Sequence, residues 1–353
     1  GDQINTNAML GPLQDNGGPT FTHVLLTGSP AINTGDPNFT PPPLFDQRGP
    51  GYNRVFNGRI DIGSLEVQLI LPTPTPTATG TPTATPTPIP SPAQVLNIST
   101  RLRVETGNNV LIGGFIIAGN APKNVAVRGI GPSLTALGIS DALADPTLEL
   151  RAANGSLIAQ NDNWQDNPAQ AAQLAAMGLA LQHPNESGIV ATLPPGASYT
   201  AILAGKNGST GVGLVELYDT NQAADSQLAN ISTRGFVRIA NNVMIGGFIL
   251  GGNSNTGVVV RGIGPSLAQF GLSPVLADPT LELRDGNGAL LISNDNWQDD
   301  PSSASQLLFH NLAPQNPNES GIFASLPPGA FTAILAGKNG RTGIGLVEIY
   351  NVH

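Results

Sequence analysis

One block in this chain is written twice. ADPTLELRAANGSLIAQNDNWQDNP begins at Ala144 and ADPTLELRDGNGALLISNDNWQDDP begins at Ala277. The 133-residue offset also relates Asn97 to Asn230 and Glu186 to Glu319, and it slips by one residue near Ser198, so that Glu216 matches Glu348. Self-similarity at a fixed spacing means that one structural unit is repeated. Two repeated domains are expected, each of 126 residues, at 95–220 and 228–353, with 221–227 as a short polar connector.

Each copy reads as short strands punctuated by turns. NVLIGGFIIAG and NVMIGGFILGG are apolar runs in which the Gly-Gly pair suggests a bulge or bend. A Val-rich run follows and ends in RGIGPSL. The repeated block then supplies two strands joined by Asn154-Gly155 or Asn287-Gly288, a hairpin signal. One helix is expected per copy, with Asn167 or Asp300 as N-cap and Pro168 or Pro301 in the first turn. Two strands around LPPGA and a last strand, VGLVELY or IGLVEIY, close the unit. Charged residues make up 11% of the chain, against about 25% in ordinary soluble domains, while 43 Gly and 31 Pro favour turns over helices. The expectation is an all-β chain with two tandem jelly-roll-like β-sandwich domains.

Before the repeats lie two different segments. Residues 72–92 are almost pure Thr, Pro and Ala, a composition that cannot build a core and favours extended polyproline II, so residues 72–94 read as a linker. Thr73, Thr75, Thr77, Thr79, Thr81, Thr83, Thr85 and Thr87 are O-glycosylation candidates or parts of a bare spacer. Residues 1–71 form a short β-rich segment carrying LGPL, DNGGPT, THVLL, GSPAI, DQRG and DIGSLE. These motifs resemble the last coil and cap of bacterial right-handed parallel β-helix surface proteins with a "choice-of-anchor" C-terminal region. The resemblance implies an extracellular passenger with further coils upstream.

The repeats carry a second resemblance. DPTLELRAANGSLIAQNDN, SGIVATLPPGASYTAILAG and GVGLVELYD are similar to the bacterial pre-peptidase C-terminal domain, which implies a jelly-roll-like β-sandwich. The chain departs from that pattern by inserting Trp164 and a helix after the acidic turn, and by adding LNISTRLRV, LIGGFIIAG and VAVRGIGPSL in front. The joint recurrence of LANISTR, RGIGPSL and NDNW also resembles tandem repeats of large secreted bacterial proteins, to which no activity attaches.

Composition excludes several function classes. Only three lysines contribute to a net charge of −9, so the basic patch that nucleic acid requires is missing. No apolar run reaches the ~20 residues of a membrane span. Without cysteine there are no disulfides or thiolate sites, and the four histidines do not recur between copies.

Candidate ligands remain in the acidic turn. Asp162, Asp166 and Glu186, with Asp295, Asp299 and Glu319 in the second copy, offer oxygens in the manner of a calcium loop; the competing reading is an Asx turn that caps its own backbone. No other cofactor is implied. Trp164 and Trp297 are candidates for stacking on a glycan or a partner, or else core anchors. RGIGPSL lacks the spacing of a phosphate loop and reads as a tight turn. Glu216 and Glu348 are expected to face solvent or to pair with Arg101 and Arg234.

With no catalytic constellation in view, the reading is a non-enzymatic structural or adhesive protein of the extracellular cell surface. It would be the subunit of a fibre or stalk assembled head-to-tail through its β domains, a neighbour completing the bare edge of residues 1–70 by strand addition. The alternative is a carbohydrate- or calcium-binding accessory module of a larger secreted protein.

Overall fold

The computed structural model describes residues 6–68 and 94–352, so the eight linker threonines lie outside the described residues. The chain forms two compact units that divide at residues 85 and 86.

Among its described residues the first unit holds a hairpin, β1 (Leu10–Gln14) with β2 (Thr22–Leu25), two isolated bridges, Phe45 with Asn53 and Phe56 with Arg59, and turns. The DQRG and DIGSLE motifs hold it together through buried carboxylates. Asp46 accepts from the Arg48 guanidinium (2.7 Å) and from the amide of Glu66 (2.8 Å). Asp61 accepts from the amides of Asn33 (2.6 Å) and Val67 (2.7 Å), and Glu66 accepts from the amide of Asp61. Residues 60–67 form no strand, because the amides of Asp61, Glu66 and Val67 are bonded to side chains rather than to a neighbouring strand.

The second unit contains both copies. The first comprises β3 (Gln94–Val104), β4 (Leu111–Gly119), β5 (Lys123–Ile130), β6 (Pro146–Ala152), β7 (Leu157–Asn161), α1 (Pro168–Ala176), β8 (Ser187–Leu193), β9 (Ala197–Gly205) and β10 (Gly211–Asp219). The second comprises β11 (Ser226–Val237), β12 (Met244–Gly251), β13 (Thr256–Ile263), β14 (Pro279–Asp285), β15 (Leu290–Asn294), α2 (Pro301–Phe309), β16 (Ser320–Leu326), β17 (Gly329–Gly337) and β18 (Gly343–Val352). The chain is all-β. Both helices start where their caps dictate: Asn167 Oδ1 accepts from the amides of Ala169 and Gln170, and Asp300 Oδ1 from that of Ser302.

Within the first copy the antiparallel strands order as β7-β6-β9-β4 and β3-β10-β5-β8, and the second copy repeats this as β15-β14-β17-β12 and β11-β18-β13-β16. Alternate residues of both sheets are buried, among them Leu148 and Leu150 from β6 and Val125 and Val127 from β5, all in one core. The arrangement is sandwich-like.

The copies are interlocked rather than strung in series. β4 of the first pairs with β11 of the second, and β12 of the second with β3 of the first. Two eight-stranded sheets therefore run through both copies, and one hydrophobic cluster contains residues of both. This pairing also corrects the expected Gly-Gly bulge. β4 keeps unbroken register with β9 from Leu111 to Ile117, whereas the irregularity lies in the partner strand, between Leu228 and Asn230. The glycines make room for the other copy. A Cβ on Gly114 would stand 2.6 Å from Ser232 Oγ, and one on Gly247 would stand 2.7 Å from Ser99 Oγ.

Candidate functional site

The acidic turn leaves β7 and is bonded both to itself and to its surroundings. Asn161 donates from Nδ2 to the carbonyl of Asn163 (3.0 Å), and Asn163 donates from Nδ2 to Asp166 (3.1 Å). Asn161 Oδ1 also accepts from the amide of Gly188 (2.8 Å), tying the turn to β8. Asp162 pairs with Lys206 at 2.5 Å, with Asp145 3.7 Å from the same ammonium. In the second copy Lys338 contacts Asp295. The hydrogen bond to aspartate raises the pKa of each lysine and keeps it charged.

The candidate calcium ligands are thus committed to separate partners. Asp162 holds a lysine and Asp166 an asparagine amide. Glu186, 1% exposed, accepts from the amides of Ser133 (3.0 Å), Gly131 (3.3 Å) and His183 (3.3 Å). Asp295, Asp299 and Glu319 repeat the pattern: Asp299 accepts from Asn296, and Glu319 from the amides of Gly264 and Ser266. No group of three or more His, Cys, Asp or Glu converges as a metal site among the described residues. Oδ1 of Asp145, Asp162, Asp278 and Asp295 is buried without a hydrogen-bond partner, while Oδ2 of Asp162 and of Asp295 faces a lysine ammonium. In the first copy a polar groove of about 470 Å³ is lined by Thr147, Glu149, Gln160, Asp162, Asp166 and Asn167.

The two tryptophans lie under the helices. Trp164 packs with Ala126, Leu174 and Leu181, and Trp297 with Val259 and Leu307. Trp297 is 8% exposed, so its ring serves as a core anchor, not as an open stacking platform.

Glu216 and Glu348 are not paired with Arg101 and Arg234. Cross-strand register sets Glu216 opposite Arg128 and Glu348 opposite Arg261. The guanidinium of Arg128 grips Glu216 and also bonds the hydroxyl of Tyr218 (3.3 Å) and the carbonyl of Leu179 (3.1 Å). Arg261, Glu348, Tyr350 and Leu312 repeat this. The expected solvent exposure also fails for Glu348, which is 8% exposed, because the segment after α2 covers that face of the strand.

RGIGPSL is an anchoring point for Glu186 and Glu319, a role that sequence spacing alone does not reveal. Its second glycine is required by close approach: a Cβ on Gly131 would lie 2.1 Å from the carbonyl oxygen of Leu143, and one on Gly264 would lie 2.0 Å from that of Leu276. Lys123 was also missed. It is fully buried and bonds Asp219 (2.9 Å) and the carbonyl of Asn221 (2.8 Å). The copy-specific exchange of Lys123 for Thr256 was its only signal.

No protein-family model matches the chain, and no curated protein matches it. Among solved structures, a DUF4785 family protein from Legionella pneumophila is similar at 10% identity with a TM-score of 0.20, over 71% of this chain and 62% of that one. The chain thus spans less than two thirds of that structure's length, and a likeness this slight carries no argument about activity.

Proposed function

We propose that the chain is a non-enzymatic structural or adhesive protein of the extracellular cell surface, whose paired repeats polymerise into a fibre through their outer edge strands. The observation that carries this reading is the contrast between the two kinds of sheet edge. β8 and β16 are blocked. The amides of Gly188 and Val190 donate to the side chains of Asn161 and Gln170, and those of Gly321 and Phe323 donate to Asn294 and Ser303. β7 and β15 carry no such cover among the described residues, and they hold no charge or proline, the usual guards of an edge. They expose Leu157 (46%), Ile158 (42%), Leu290 (51%) and Leu291 (45%) instead.

These strands end different sheets, one in each copy: the sheet that begins at β7 finishes at β16, and the one that begins at β15 finishes at β8. Antiparallel pairing of β7 with β15 of a second molecule would extend both sheets and leave a free β15 on one molecule and a free β7 on the other, the head-to-tail contact from which an open filament is built when successive rotations do not close a ring. The Thr/Pro tract, read as a spacer, supports a surface location. Purified chain is expected to form filaments visible by electron microscopy. The variant Ile158→Lys/Leu291→Lys should abolish them while leaving the melting temperature within about 2 °C. Wild-type chain that stays monomeric at high concentration would refute this reading.

A further inference from the structure

The seam between the copies is symmetric in backbone and asymmetric in side chains. Thr233 faces Gly113 as Thr100 faces Gly246. Thr100 Oγ1 meets Thr233 Oγ1, its own counterpart, at 2.7 Å, and Val95 pairs with its counterpart Leu228. β3 and β11 are thus related by a pseudo-twofold axis. In such an isologous contact, identical copies would set identical side chains against each other.

Besides Val95 and Leu228, which are both apolar, two positions of this chain do otherwise. Leu102 and Gly235 are counterparts, both buried, and a Cβ on Gly235 would lie 1.9 Å from Leu102 Cδ2. The leucine fills the space its counterpart leaves. Glu105 and Arg238 are counterparts as well, and Arg238 Nε donates to Glu105 Oε1 at 2.7 Å.

We propose that Leu102 with Gly235, and Glu105 with Arg238, are specificity determinants that direct each repeat to its unlike copy and reject like-with-like pairing. Two first copies would force two leucines into room for one and oppose two glutamates. Two second copies would leave a void between glycines and oppose two arginines. Shape and charge therefore act against both wrong pairings, as specificity requires. This inference is independent of the fibre reading, since it concerns how the repeats choose each other.

The test uses the full chain with a protease site placed between Gln222 and Ala223, both exposed. After cutting, the wild-type copies should still co-elute. Gly235→Leu/Arg238→Glu gives the second copy the side chains of the first; its melting temperature should drop by roughly 10 °C, and its copies should separate once cut. The fourfold exchange L102G/E105R/G235L/R238E should restore co-elution and most of the lost stability. Because leucine at 235 can unfold the chain outright, the charge pair is also read alone. Glu105→Arg should show a melting temperature that climbs with added NaCl as salt screens the opposed arginines, and Glu105→Arg/Arg238→Glu should regain the wild-type salt response. A fourfold exchange no more stable than the double variant, or a Glu105→Arg variant with unaltered salt response, overturns the proposal.

Discussion

At the scale of single residues the two copies act as controls for each other. Lys123 and Asp219 form a fully buried ion pair in the first, where the second has a hydrogen bond from Thr256 to Asn351 at 2.7 Å. Breaking a buried pair from one side leaves an uncompensated charge and costs about 3–5 kcal/mol, whereas replacing both partners is often neutral. Asp219→Asn alone should therefore lower stability by about that amount in urea denaturation, and Lys123→Thr/Asp219→Asn should recover most of it. The first unit carries a pH response of its own. Burial alone would push the Asp46 carboxyl up, but hydrogen bonds from the Arg48 side chain and from the amides of Glu66 and Arg48 outweigh it and hold the group below its ordinary 3.8. Burial pushes Glu66 above its ordinary 4.5, with the nearby Asp61 charge adding to the effect. A depressed carboxyl stabilises the fold above its unfolded pKa and loses that contribution as pH falls through its folded one; a raised carboxyl does the reverse. Protection of residues 46–67 from hydrogen exchange, corrected for intrinsic rates, is expected to increase as pH falls from neutral to 4.5 and to decrease below 3.8. Glu66→Gln should remove the rise and keep the fall.

Elements show where reading the sequence stops. The helices were legible because their signals are local: Asn167 or Asp300 caps, and Pro168 or Pro301 starts. The strands were legible from apolar alternation and from the turn at Asn154-Gly155. Strand partners were not, since pairing links residues far apart and alternation is the same whether the neighbour belongs to one copy or the other. Gly113-Gly114 accordingly read as a bend. The fact that decides its role, the approach of Ser232, lies more than a hundred residues away. The candidate site failed for a related reason. Asp162, Asp166 and Glu186 cluster in sequence and in chemistry, yet Glu186 is spent on the amides of the RGIGPSL segment. That segment gives an expectation at its own scale: Gly131→Ala forces a methyl against the Leu143 carbonyl and should cost about 1–3 kcal/mol, the range of overpacked sites. Gly138→Ala is the control, although its left-handed conformation (φ 84°) carries its own strain. Only Gly131→Ala should also detach Glu186, seen as faster exchange of the Ser133 amide.

For the whole molecule, the shared sheets bind the repeats into one cooperative body. A core that draws on both copies cannot lose one and keep the other intact, in contrast to a linear repeat array, where each unit contributes separately. Trp164→Phe and Trp297→Phe leave one tryptophan per chain, in the second and first copy respectively, and the two variants should report coincident urea transitions, the usual mark of two-state unfolding. Midpoints that separate by more than the variants differ in stability would show independent copies. Only residues 220–225 link β10 to β11. Asn120 and Ala121 both donate their amides to the carbonyl of Asp225, so the tether is fastened beside the strands it joins. Partners held this way meet at an effective concentration on the order of millimolar, which makes their union a first-order event. Dilution, the condition that dissolves an ordinary dimer, leaves this one whole.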